Sequence, residues 1–181
     1  MKFYYTGAFK GGDVQTEPGK SLGGYVSQSV IPNSFLGNIF SGVSRLTFER
    51  NIQDTKAVVL KNETGVDVKN INFYFNIPIT SPFGFKVAFV QLAKDDCGDY
   101  MEKLPNSESL PYSGTFYEPF DQAHKINIGD LDKDAILGIW LQRYVKSNPG
   151  NTTCQQLYDN YKTGVTDNEV QETVQIILSW T

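Results

Sequence analysis

Nucleophilic or metal chemistry in this chain would have to be built from one histidine, His124, and two cysteines, Cys97 and Cys154. A nucleophile needs a base within hydrogen-bond reach and a third group that orients the base. His124 is flanked by Ala123 and Lys125 at the start of a segment that reads as a strand, no Gly-x-Ser-x-Gly elbow occurs, and neither cysteine sits in a nucleophile motif. One His and two separated Cys also lack the close pairs of ligands that zinc sites use. His124 therefore reads as a surface or strand-edge imidazole. No catalytic residue, cofactor or metal is expected.

Two acidic loops carry the remaining metal-like spacing. Asp130, Asp132 and Asp134 alternate as in the opening of a calcium loop, where carboxylate oxygens surround the ion, but Ala135 stands where the loop glycine belongs and Leu141 where the closing glutamate belongs. The EF-hand is excluded, and a weaker cation site stands beside the simpler reading, a solvated turn. Asp95, Asp96 and Asp99 around Gly98 form a second loop of the same kind. Gly11-Gly12 and Gly23-Gly24 are not placed between a strand and a helix, so they mark bends and not a phosphate cradle. Asn62-Glu63-Thr64 and Asn151-Thr152-Thr153 match the glycosylation sequon. Trp140 and Trp180 could stack on sugars, yet both fall in strand patterns that point to the core.

The chain that must position these residues has 181 residues, 40% hydrophobic, 20% charged and 13% aromatic, which suits a globular domain with a sizeable core. No apolar run approaches a membrane span. Sixteen Lys and Arg against twenty Asp and Glu give a net charge of −4, and basic residues are scattered singly, against a nucleic-acid partner. The first seven residues lack the plan of a secretory signal, so a reducing cytoplasm and free thiols are expected.

Residues 1–42 hold Gly7, Gly11, Gly12, Gly19, Gly23, Gly24 and Gly37, and read as an extended arm anchored by Val30-Ile31 and Phe35-Leu36 with Ile39-Phe40. Residues 43–181 read as the domain proper. Ala57–Leu60, Ile71–Ile77, Phe85–Val90, Ile126–Ile128, Ala135–Val145 and Val170–Trp180 have strand character, the last carrying a buried Trp180. Ala135–Val145 is apolar on both faces, as a central strand should be. Residues 95–123 predict a long insertion loop, and a capping pattern at Thr152 and Thr153 predicts a short helix over 153–163. The expected fold is mainly β: an antiparallel β-sandwich with a Gly-rich extended N-terminal arm, a long insertion loop and one short helix.

The run from Gly11 to Ser27 with Val30-Ile31-Pro32-Asn33, and Asn127–Leu131 leading into Leu137–Arg143, resembles small virion structural proteins of tailed bacteriophages. The resemblance implies a non-enzymatic head, neck or tail component, made in the host cytoplasm and located in the virion, that forms homo-oligomers and binds other virion structural proteins. An arm that pairs with a neighbour's strand edge would join the copies, and deleting residues 1–40 would then leave a folded domain. The interface residues expected on this reading are Val30, Ile31, Phe35 and Leu36 of the arm and Tyr112, Phe116, Tyr117 and Phe120 of the loop. Two other readings stand beside it: a glycan- or receptor-binding module of a virion, and a jelly-roll hydrolase using Asp95, Asp96, Asp130, Asp132 and Asp134.

Overall fold

Alternating apolar and polar side chains make strands here because a pleat sends successive residues to opposite faces. The computed structural model describes residues 1–7, 14–32, 39–40, 53–77, 81, 83–146 and 174–181. Within them the strands are β1 (Lys2–Gly7), β2 (Gly24–Val30), β3 (Asp54–Lys61), β4 (Val68–Asn76), β5 (Phe83–Val90), β6 (Ala93–Asp95), β7 (Gly98–Met101), β8 (Ile126–Leu131), β9 (Ile136–Val145) and β10 (Gln175–Ser179). All pair antiparallel, in a curled seven-stranded sheet ordered β5-β9-β3-β1-β2-β7-β6 and a three-stranded sheet ordered β10-β4-β8. The mainly β, antiparallel expectation holds. The helix expected at 153–163, with Cys154, lies outside the described residues, as do Phe35 and Leu36. Among the described residues no helix is long and apolar enough to cross a membrane.

The sheets face each other across a core that both supply. Ile71, Phe73 and Phe75 of β4 are buried, as their alternation requires, and meet the large sheet through aromatic contacts. Phe73 lies edge-on to Phe89 at 5.4 Å between centroids, and Phe75 is tilted against Phe85 at 5.6 Å. A buried side chain of this size contributes about 1.5–3 kcal/mol. On β9, Ile139, Leu141 and Val145 join this core, while Trp140 points to the opposite face with Ala57, Val59, Ala88, Met101 and Leu104. Both faces of β9 are thus covered, which accounts for its continuous apolar run. Trp180 departs from expectation. It follows the last residue of the edge strand β10, beyond the Ser179–Asn72 pair, and is 44% exposed.

The N-terminal segment also differs from the expected arm. β1 lies between β2 and β3, with Phe3 opposite Leu60 and Tyr5 opposite Val58, so the sheet has no boundary at residue 42. A buried polar network fastens the turn that leads to β2. Ser21 Oγ accepts from the Thr6 N–H at 2.9 Å and donates to the Ala57 carbonyl at 2.6 Å, while Thr6 Oγ1 accepts from the Gly23 N–H at 2.9 Å. Gly23 has φ +91°, and a Cβ there would come within 1.8 Å of the Glu102 carbonyl oxygen. That glycine serves a close approach of two backbones, and not mobility.

Two of the connections between the sheets, β3 to β4 and β8 to β9, meet at Asn62. Its side chain is fully buried, and Nδ2 donates to the carbonyls of Val66, Leu131 and Asp132 at 2.8, 2.9 and 3.0 Å. Oδ1 accepts from the Thr64 N–H and hydroxyl, and the Asn62 backbone exchanges bonds with Asp134 and Ala135. With Nδ2 committed in this way, the first sequon has no exposed amide to carry a glycan in the folded chain. Next to it, Glu63 bonds the Tyr4 hydroxyl and pairs with Lys2 at 3.0 Å and Lys61 at 3.2 Å. The Tyr4 hydroxyl, then Lys2, lowers the Glu63 carboxyl to about 2. Burial, then the bond to Glu63, raises Tyr4 to about 12. The corner is thereby fixed to β1 as well.

Two outcomes follow from this arrangement. Asn62→Ala removes the buried amide that serves three carbonyls and leaves that of Leu131 without its side-chain donor, and it is expected to destabilise the chain by about 3 kcal/mol in urea unfolding; a loss below about 1 kcal/mol would contradict the corner's role. Deleting residues 1–7 removes an internal strand, so the product is expected to lack a cooperative unfolding transition, whereas a retained transition would restore the separable arm.

Candidate functional site

The segment from Leu104 to Phe120 is irregular in backbone yet firmly tied. Its start follows a hairpin, β6 to β7, that occupies part of the expected insertion loop; Gly98 at φ +127° closes the turn and Asp95 Oδ1 accepts from the Cys97 N–H at 2.7 Å. Further on, Glu102 Oε2 accepts from the Tyr112 N–H at 2.9 Å. Tyr117 exchanges both backbone bonds with Val87 at 2.8 Å, so the loop pairs with the outer edge of β5. Pro119 then accepts from the Phe75 N–H at 2.7 Å, beyond the Phe73–Ile126 pair where β8 begins. One strip of chain therefore ties the edge of the large sheet to the small one.

Aromatic side chains leave this strip in different directions. Phe116 packs against the Trp140 cluster and belongs to the chain's own core. Tyr112 is wholly exposed, with Leu110 near it in sequence also exposed, and Tyr117 and Phe120 are 47% and 45% exposed. Phe120 stacks on the His124 ring at 4.0 Å between centroids, and His124 Nδ1 lies 2.7 Å from Asp121 Oδ1. The bond from His124 holds the Asp121 carboxyl below its ordinary range. His124 thus stands on the surface in a 3-10 turn, Gln122–His124, just before β8. Of the arm residues, Val30 is 39% exposed at the end of β2. Ile31 is instead buried in the chain's own core, where its N–H donates to the Phe3 carbonyl.

Beneath the loop runs a groove of about 410 Å³. β5 contributes Phe89, the loop Gly114, Thr115 and Tyr117, and β8 Ile126, Asn127 and Ile128. These loop and strand residues are separated in sequence, and the pairing of Tyr117 with Val87 and the bond from Phe75 to Pro119 bring them together. Gly114 is what seats the loop: its φ is +99°, and a Cβ would stand 3.0 Å from Ala88 Cβ and 3.1 Å from Val90 Cγ1.

The acidic loops do other work. Asp130 Oδ1 accepts from the Asn70 N–H at 3.0 Å and Oδ2 pairs with Lys69 at 3.3 Å, clamping a bulge at which Asn70 and Gly129 both have positive φ. Asp134, with φ 63°, shapes the turn into β9. Asp95 receives the Tyr25 hydroxyl at 2.7 Å, and this bond lowers its carboxyl while raising Tyr25. Among the described residues no three His, Cys, Asp or Glu side chains come together as a metal site would require. A buried ionic group lies at the far end of β3 and β9, where Asp54 pairs with Lys56 at 3.3 Å and Arg143 at 3.2 Å, and the Arg143 guanidinium lies over the rings of Phe40 and Phe83.

No protein-family model, curated protein or solved structure matches the chain.

Gly114→Ala tests the seating of the loop. The left-handed backbone costs an alanine about 1–2 kcal/mol, and the tight contacts with β5 add to it. The Val87 and Tyr117 amides are expected to exchange hydrogen faster in this variant, and unchanged protection would mean that Gly114 does not hold the loop.

Proposed function

We propose that this chain is a non-enzymatic structural subunit of a virion, of the tailed-bacteriophage kind its sequence resembles, and that it joins copies of itself and other virion proteins through the aromatic loop. Tyr112 carries the reading. A phenol ring held wholly in water, with an exposed leucine two residues before it, leaves apolar surface uncovered unless another chain covers it. Tyrosine is favoured at such contacts because it brings a large area at small entropic cost and keeps a polar tip for the rim. The backbone bonds of Tyr112 and Tyr117 supply rigidity before contact, so little ordering remains to oppose association.

The contact assigned to the arm moves to the loop on this reading, because β1 and β2 already exchange their backbone bonds within the large sheet. Val30 and Phe120 then stand as secondary apolar contacts. The mild negative charge suits a particle component that meets protein and not packaged nucleic acid.

Size-exclusion chromatography with light scattering on the full chain tests the proposal. The chain is expected to form a defined oligomer that the double variant Leu110→Ser, Tyr112→Ser weakens at least about tenfold in dissociation constant while leaving the unfolding midpoint in place. A monomer at all concentrations, or an oligomer indifferent to the substitutions, would remove the loop from assembly.

A further inference from the structure

We infer that the groove between the loop and β8 binds a neutral hexopyranose of one or two rings. The inference does not rest on the assembly reading, since Leu110 and Tyr112 are not among the residues that line the groove. Its volume, about 410 Å³, falls in the range of small-ligand sites.

A pyranose presents a face of C–H groups and a rim of hydroxyls that both donate and accept. A matching site needs apolar and aromatic surface for the face, uncharged polar groups for the rim, and rigid walls. Tyr117 places a half-exposed phenol ring in the groove, and Phe89, Ile126 and Ile128 contribute apolar surface. Thr115 and Tyr117 bring hydroxyls for the rim, and neither hydroxyl has a partner among the described residues. Asn127 borders the groove by its place on β8, but it stands opposite Asn72 while Ile126 and Ile128 pack on the core, so its side chain leaves the outer face of the small sheet, where Oδ1 accepts from the Gly129 N–H at 2.8 Å. Among the described residues no charged side chain lines the groove, so an acidic sugar finds no cation in these walls.

Rigidity comes from the backbone. Tyr117 is fixed on β5 by paired 2.8 Å bonds, and Asn127 lies on β8 opposite Asn72 of β4, so the two sides of the site are held by different sheets. The site exists only because the loop spans both.

Saturation-transfer NMR on the full chain tests the inference, with the methyl glycosides of glucose, galactose, mannose and N-acetylglucosamine, the disaccharides lactose and maltose, and N-acetylneuraminic acid as the charged comparison. At least one neutral sugar is expected to bind with a dissociation constant of about 1 mM, as a shallow site of few polar contacts allows. Tyr117→Ala should weaken it at least about tenfold and Tyr117→Phe much less, because the ring is retained. Thr115→Val keeps the shape of the side chain while deleting its hydroxyl, so it should weaken binding with the unfolding midpoint unchanged. The inference is overturned if none of the neutral sugars binds, if only N-acetylneuraminic acid binds, or if binding survives both Tyr117→Ala and Thr115→Val. Oligomer size, measured on the same samples, reports separately on the assembly reading.

Discussion

One buried amide holds the two sheets in register with each other. Asn62 sits where the chain leaves the large sheet after β3 and where it returns to it before β9, and a single side chain satisfies carbonyls from both turns. Such groups must be paired because an unbonded carbonyl away from water costs about 1–3 kcal/mol. Hydrophobic burial alone would let the sheets slide over one another, since it has no direction. The amide supplies direction, and the Phe73, Phe75, Phe85 and Phe89 contacts then have a fixed partner. Glu63, one residue on, carries the constraint to β1 through Tyr4 and Lys2.

The same logic of paired backbone governs the surface with a functional reading. A strand edge left open invites unwanted pairing. The edge of β5 is occupied by Tyr117, and the same pairing sets the loop over the groove that faces β8. Edge protection and site construction are thus one structural act. The opposite edge, β6, is protected differently, by being three residues long and exposing Lys94.

Polar groups that suggested chemistry in the sequence turn out to be engaged in shaping turns. Asp130 clamps a bulge, Asp95 caps a hairpin turn, and the His124 ring is held by Asp121 and Phe120. Aspartate favours such positions because its short carboxylate reaches backbone N–H groups two residues away. The single polar group among the buried aromatics without a partner among the described residues is the Trp140 indole N–H. Its cost of about 1–3 kcal/mol is offset by the burial of so large a ring.

How much of the molecule could be read from residue order follows from the range of the forces involved. Strand faces are local: Ile71, Phe73 and Phe75 alternate because of the pleat, and Ile136–Val145 shows by its double apolar face that it is covered on both sides. These features, the antiparallel β class and the solvated nature of the aspartate turns were legible in the chain itself. The loop aromatics could be named from composition, but not their directions, and Phe116 and Tyr112 proved to face opposite environments. Gly23 reads as a bend and Gly114 gives no signal of its own, although each permits a close approach to a segment distant in sequence. The placement of β1 inside the sheet, the convergence of two turns on Asn62 and the groove under Tyr117 came only with the folded chain. Each depends on hydrogen bonds between residues tens of positions apart, and no local pattern records which distant partner a backbone group will meet.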